Sequence, residues 1–304
     1  RALAVQAKSH NIGFNVDAEE AARLDLSLDL IERLMRDETL AGWDGFGVVV
    51  QAYQRRATFV IDWLAQLARD SGRRIMVRLV KGAYWDSEIK RAQVLGLETY
   101  PVFTRKVLTD VSYQACVKRL FAANDVIYPQ FATHNALTAT IVREIAGENS
   151  RYELQRLHGM GEALHDQLIT DGARSRIYAP VGGHRELLPY LVRRLLENGA
   201  NSSFVNQLFD PELAIEEIVR DPVAEAKALA APSNTAIPAP RDLFAGARLS
   251  AQGYDDGDPA TLARLCAAVS TPFDKAQSIG ALVDGALVGA AAPGARIERS
   301  HNPA

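Results

Sequence analysis

The chain has 304 residues, 48% of them hydrophobic and 23% charged, with a net charge of −3 at pH 7. It is long enough for one large barrel or two average domains, and its composition is that of a folded protein rather than a disordered one. No basic field calls for nucleic acid, no apolar run approaches the ~20 residues of a membrane-spanning helix, and two distant cysteines, Cys116 and Cys266, argue against a disulfide framework and suit a reducing cytoplasm.

From Arg1 to about Ala200, short apolar runs alternate with longer segments of helical period. The start, Arg1-Ala2-Leu3-Ala4-Val5, carries neither an initiator methionine nor a signal-peptide apolar core, so the chain is expected to be cut from something longer. The strand candidates are Ile12–Val16, Phe46–Gln51, Arg74–Val80, Val126–Phe131, Tyr152–Leu157 and Arg176–Ala179. Several are apolar throughout, as parallel strands covered on both faces are. Helical segments between them include Ala18–Met35, Arg55–Arg69, Arg105–Ala123 and Leu137–Ala146. A last helix over Arg185–Asn198 ends at Asn198-Gly199, where glycine suits a left-handed cap. Pro189 is tolerable there if it falls in the first turn.

Six βα units in series predict an α/β fold, either an open doubly wound sheet or a (β/α)8 TIM-like barrel. Polar residues stand at nearly every strand end: Asp17, Gln51, Arg78, Lys81, His134-Asn135 and His158. In a barrel these converge on one face, whereas a doubly wound sheet would gather them at one switch point, so the pattern favours the barrel. The units then correspond to strands 3 to 8, with the first two expected before Arg1. After Phe209 the texture changes. Asp210–Leu229 reads as an exposed helical segment, Ala230–Arg241 with Pro232, Pro238 and Pro240 as a linker, and Pro259–Val269 as a further helix. Ala281–Ala292, rich in alanine and glycine, has no assignment. The expected organisation is a barrel over residues 1–210, a helical segment and Pro-rich linker over 211–250, and the edge of a second domain over 251–304.

In Arg78-Leu79-Val80-Lys81-Gly82-Ala83-Tyr84-Trp85-Asp86 a strand ends in two cations, a glycine and two aromatics. Gly82 and Ala83 allow close backbone approach to a phosphate, Lys81 adds charge and Trp85 offers a ring to stack on; the alternative is an ordinary turn with a solvated lysine. In Tyr190-Leu191-Val192-Arg193-Arg194-Leu195-Leu196-Glu197, the adjacent arginines make either a fork for a carboxylate or a surface ion pair with Glu197. His134-Asn135 after Thr133 offers donors to a polar ring edge, or caps a helix. Asp17 is a site residue or, with Glu20, a helix start. The six histidines show no HxxH or HExxH spacing, so no metal site is expected, and GxGxxG, P-loop and GxSxG motifs are absent.

Phe14–Ala21, Gln51–Gln54, Arg78–Lys90 (RLVKGAYWDSEIK), Phe131–Asn135, Leu157–Gly161 and Tyr190–Val205 together resemble the proline dehydrogenase domain of the bifunctional proline utilization A family. The resemblance runs from about residue 1 to 245 and is most specific in RLVKGAYWD followed by YLVRRLLENGAN. It implies a distorted barrel holding FAD, oxidation of L-proline to Δ1-pyrroline-5-carboxylate by hydride transfer to flavin N5, and electron transfer to a membrane quinone. Arg193 and Arg194 match the arginines that hold the proline carboxylate, and Glu197 their acidic partner. Tyr84, Leu157 and Tyr178 match residues around the substrate ring. Asp17 matches an aspartate near substrate and flavin, and Arg78 an arginine near N5; these two are the catalytic candidates. Gln51, Arg78, Val80, Lys81, Gly82, Ala83, Trp85, Thr133, His134, Asn135 and Gln155 match cofactor contacts. The family further implies a cytoplasmic homo-oligomer with peripheral membrane contact and a fused NAD-dependent aldehyde dehydrogenase domain, which is not in this chain. A family lysine near the proline carboxylate is expected before Arg1, so the chain alone is not expected to close its barrel or hold flavin well. The other readings are a non-catalytic barrel fragment, another barrel oxidoreductase, or a phosphate-binding barrel enzyme using Lys81.

Overall fold

The computed structural model describes residues 1–149, 151–199, 213–244, 246–270, 281–283 and 286–288. The chain divides into two compact units, Arg1–Asp258 and Pro259–Ala304. In the first, helix α1 (Ala2–Ser9) precedes β1 (Phe14–Val16), α2 (Leu24–Met35), β2 (Phe46–Gln51), α3 (Ala57–Asp70), β3 (Ile75–Val80), α4 (Trp85–Leu95) and α5 (Lys106–Ala122). Then come β4 (Ile127–Ala132), α6 (Ala136–Ala146), β5 (Glu153–Leu157), α7 (Glu162–Thr170), β6 (Ser175–Tyr178), α8 (His184–Gly199), α9 (Ile215–Ile218) and α10 (Pro222–Lys227). The second unit holds α11 (Pro259–Val269) and an antiparallel pair, β7 (Ala281–Val283) with β8 (Ala286–Val288).

The six strands of the main sheet are all parallel and lie in chain order, β1-β2-β3-β4-β5-β6. No strand order reverses, so there is no switch point and the doubly wound alternative falls. The sheet also curls. Asn15 Nδ2 on β1 donates to Gln130 Oε1 on β4 at 3.2 Å, although β2 and β3 lie between those strands. Gly47 of β2 makes room for this: a Cβ there would come within 1.9 Å of Asn15 Oδ1. The fold is therefore a (β/α)8-type barrel sheet, of which the described residues form six strands.

The outer face of the sheet carries the core. Phe46, Val48, Val50, Ile75, Val77, Leu79, Ile127, Phe131 and Leu154 pack against Ile61, Leu64 and Ala68 of α3, Val117 and Leu120 of α5 and Val142 of α6. The inner face differs from the apolar-throughout reading. β3 alternates, with Ile75, Val77 and Leu79 buried and Met76, Arg78 and Val80 partly open, because only its outer side is covered by helices. Cys116 lies in this core as a free thiol, which burial pushes up to about 11, so it is an inert packing residue.

Several expectations are corrected. The helix drawn from Ala18 begins at Leu24, after a short 3-10 turn over Ala21–Arg23; Asp17 supplies no cap. Pro189 is the sixth residue of α8, past the first turn, so the Arg185 carbonyl loses its intrahelical donor. Gly199 is the last residue of α8, and what caps the helix lies outside the described residues. The described part of the segment read as helical over Asp210–Leu229 forms two short helices, α9 and α10. The Pro-rich segment is tethered: Tyr100 Oη donates to the Pro238 carbonyl at 2.7 Å, Arg105 to the Ser233 carbonyl at 3.1 Å, and the Asn234 N–H to Thr104 Oγ1 at 2.9 Å.

Candidate active site

In a parallel barrel sheet every strand delivers its C-terminal end to one mouth. Arg78 stands at the centre of this one. Its guanidinium pairs with Asp17 Oδ1 at 3.1 Å, just beyond β1, and lies 5.1 Å from the centre of the Tyr178 ring at the end of β6. Three strand ends that are not neighbours thus meet on one cation. Arg78 is largely buried, at 15% side-chain exposure against 71% for Asp17, and its Nε is buried with no hydrogen-bond partner. Burial pushes the Tyr178 phenol up, against the pull of Arg78 and Arg194, so it stays a neutral O–H. Arg194 on α8 stacks 5.5 Å from the Tyr190 ring. Arg193 and Glu197 lie on the same helix, but their side chains are outside the described residues.

The loop after β3 is held close to the sheet. Gly82 has φ +126°, and a Cβ there would come within 2.4 Å of the Tyr53 ring, so only glycine fits. Ala83 is exposed and Val80 half-buried. Lys81 pairs with Asp110 of α5, and Trp85 Nε1 donates to the Phe103 carbonyl at 2.7 Å, leaving only its ring face for a ligand. Tyr84 and Trp85 pack against a small cluster of Tyr53, Ile89, Ala92, Tyr100 and Val102. Gln51, buried at the end of β2, donates Nε2 to the Glu19 carbonyl at 2.7 Å and so ties down the loop that carries Asp17.

At the end of β4 both open readings of Asn135 bear on its position. Its Oδ1 caps α6 by accepting from the Thr138 N–H at 2.9 Å, and the cap orients the residue beside a cavity of about 260 Å³ lined by Lys81, Lys106, Asp110, Leu137 and Arg220. A second cavity, about 30 Å³, lies between α2, α3 and β1, β2, and Asp17 and Glu19 are in its lining. His134 Nε2 accepts the Leu157 N–H at 3.0 Å, so the neutral ring carries its proton on Nδ1. Burial, helped by His165, Arg194 and Arg156, holds its pKa at about 4. Leu157 itself is buried at the end of β5.

Three residues that shape this mouth escaped the sequence reading. His165 on α7, fully buried, donates Nε2 to the Thr133 carbonyl at 3.0 Å and accepts from Ser175 Oγ at 2.7 Å on Nδ1, which pins the loop carrying Thr133 and His134. Glu153 and Gln130 join Gln155 in a buried polar network on the inner face. The alternation Glu153-Leu154-Gln155 was a visible signal for the network; nothing local marks His165. Among the described residues no three His, Cys, Asp or Glu side chains gather as metal ligands, and no helix is long and apolar enough to cross a membrane.

The Proline dehydrogenase family profile matches residues 1–207. The chain is 54% identical over 280 residues to Bifunctional protein PutA of Klebsiella aerogenes, covering 87% of this chain and 21% of that protein. It is 50% identical over 309 residues to Bifunctional protein PutA of Escherichia coli, covering 96% and 23%. A crystal structure of bifunctional proline utilization A superposes with a TM-score of 0.86 at 52% identity, covering 92% of this chain and 29% of that one. The chain thus spans about a fifth of the length of these curated relatives. With the motif order, the parallel curled sheet and the match over residues 1–207 in agreement, the chain belongs to the proline dehydrogenase family.

Proposed function

We propose that this chain carries the FAD-dependent oxidation of L-proline to Δ1-pyrroline-5-carboxylate. The observation that carries the reading is the meeting of Arg78, Asp17 and Tyr178 across the barrel mouth. The fit to a flavin rests on the buried, unpartnered Arg78 Nε, on Gly82, whose place no side chain can take, and on the fixed Nδ1–H of His134. Gln51, Val80, Lys81, Gly82, Ala83, Trp85, Thr133, His134, Asn135 and Gln155 would hold the cofactor. Bound there, FAD would supply a two-electron acceptor for the hydride of the ring CH2 beside the proline nitrogen.

The protein groups do the rest. Arg193 and Arg194 bind the proline carboxylate, with Glu197 holding the pair in register. Tyr178, Tyr84 and Leu157 close around the ring and exclude water. Arg78, steered by Asp17 and seated on the Tyr178 ring, puts a fixed positive charge where negative charge develops. The substrate amine enters deprotonated, so no side chain need act as a strong base. In the same reading residues 1–210 hold this chemistry, 211–250 brace it and 251–304 lead to an NAD-dependent aldehyde dehydrogenase domain. The protein works as a cytoplasmic homo-oligomer that delivers electrons to a membrane quinone.

The test is spectroscopic. The purified full-length protein is expected to be yellow, with flavin bands that bleach when proline is added without oxygen. A colourless but folded protein overturns the reading in favour of a non-catalytic barrel.

A further inference from the structure

Glu153 of β5 has a side chain only 5% exposed, yet it is the hub of the inner-face network. Its Oε1 accepts from Gln155 Nε2 at 2.6 Å, Gln130 Nε2 at 3.0 Å and Arg176 Nε at 2.7 Å. Its Oε2 accepts from Arg176 Nη2 at 2.8 Å and lies 3.4 Å from Tyr128 Oη. Burial pushes the carboxyl up, but the Arg176 and amide donors outweigh it and hold it below the usual range, so Glu153 is an anion. An ionised carboxylate only accepts hydrogen bonds.

That constraint settles a choice an amide otherwise leaves open. Gln155 must turn its NH2 toward Glu153, and because the amide is planar its Oε1 faces away. Gln155 sits two residues closer to the C-terminal mouth than Glu153, on the same inward face of the strand. Its backbone is also fixed there, since its carbonyl accepts the Thr133 N–H at 3.2 Å.

We propose that Glu153 is a positioning residue that, through its hydrogen bond to Gln155, sets the Gln155 Oε1 as the acceptor for an N–H of the bound flavin ring. The inference rests on the flavin reading above. An oxidised flavin ring has one N–H, the imide N3–H between its two carbonyls, so N3–H is the group that Gln155 recognises.

The experiment is reconstitution of the full-length apoprotein with FAD and with N3-methyl-FAD, read as the ratio of their dissociation constants by fluorescence. The native protein is expected to bind FAD about tenfold more tightly, the worth of one hydrogen bond to a buried acceptor. In Gln155→Leu and in Glu153→Ala the ratio should fall to near one, whereas Glu153→Gln, which keeps an acceptor oxygen, should preserve it. A ratio that persists in Gln155→Leu overturns the assignment, and that variant decides the matter alone if Glu153→Ala does not fold. A Glu153→Ala protein with a lower melting temperature but an unchanged ratio reduces Glu153 to a structural role and also overturns it. If the native protein takes up FAD but does not discriminate, the inference fails and the flavin reading stands; if it takes up neither compound, both fail.

Discussion

The two faces of the six-stranded sheet are built from the same strands and do opposite things. On the outer face Ile75, Val77, Leu79, Phe131 and Leu154 are fully buried against helices. On the inner face the alternate residues Asn15, Arg78, Gln130, Glu153, Gln155 and Tyr178 are polar and bonded to one another. Side chains of a strand alternate between faces, so each strand serves stability on one side and chemistry on the other. The lesson is a separation of costs: an outer-face change should act on folding, and an inner-face change on ligands.

The largest expected effect breaks the outer face. Phe131 packs between Phe121 and Tyr152, with ring centres 5.3 and 5.8 Å away, so Phe131→Ala should cost about 3–5 kcal/mol in urea denaturation. Flavin affinity per folded molecule should stay unchanged. Next, Arg194→Ala should raise the Michaelis constant for proline by the equivalent of about 2–5 kcal/mol while flavin content stays nearly intact. Loss of flavin with unchanged proline affinity would remove Arg194 from the substrate site.

Gly82→Ala joins the two faces, because the strain falls on the backbone of the ligand loop. With φ +126° and the Tyr53 ring in the way, it should cost more than about 1 kcal/mol and lower flavin content, measured by melting and by absorbance. A further effect is on pH dependence. His134 titrates at about 4 when folded against 6.5 ordinarily, so the unfolded chain binds more protons between those values. The stability from keeping the ring neutral is complete above pH 6.5 and declines as pH falls toward about 4; His165, also lowered by burial, acts in the same direction. His134→Gln should flatten that part of the stability curve, and an unaltered slope would show that His134 is not buried as described.

Much of the frame was legible. The strand read over Phe46–Gln51 has those bounds, and the others shift by only one or two residues, because apolar runs between turns mark strands well. Helices α1, α4 and α7 were given no bounds. α4 begins inside the motif that drew notice as a ligand loop, and α1 and α7 are too short for a clear period. The β7–β8 pair had a signal that went unused: Asp284-Gly285 between two Ala-Leu-Val runs is a two-residue hairpin sequence. Lys81 and Trp85 looked free in the sequence, but Asp110 and the Phe103 carbonyl claim their polar ends, and these partners come from segments distant along the chain.

The order of strands and helices, the polar residues at strand ends and the family were all determined by the amino-acid sequence, because periodicity and short motifs are local properties. Which of those residues meet was decided only by the tertiary structure. Arg78 reaches Tyr178, and Asn15 reaches Gln130, because the sheet curls and brings together strands that are not neighbours. The direction of the Gln155 amide depends likewise on a buried anion whose partners lie on β4, β5 and β6. Curvature is set by packing summed over the whole sheet, and no single segment encodes it.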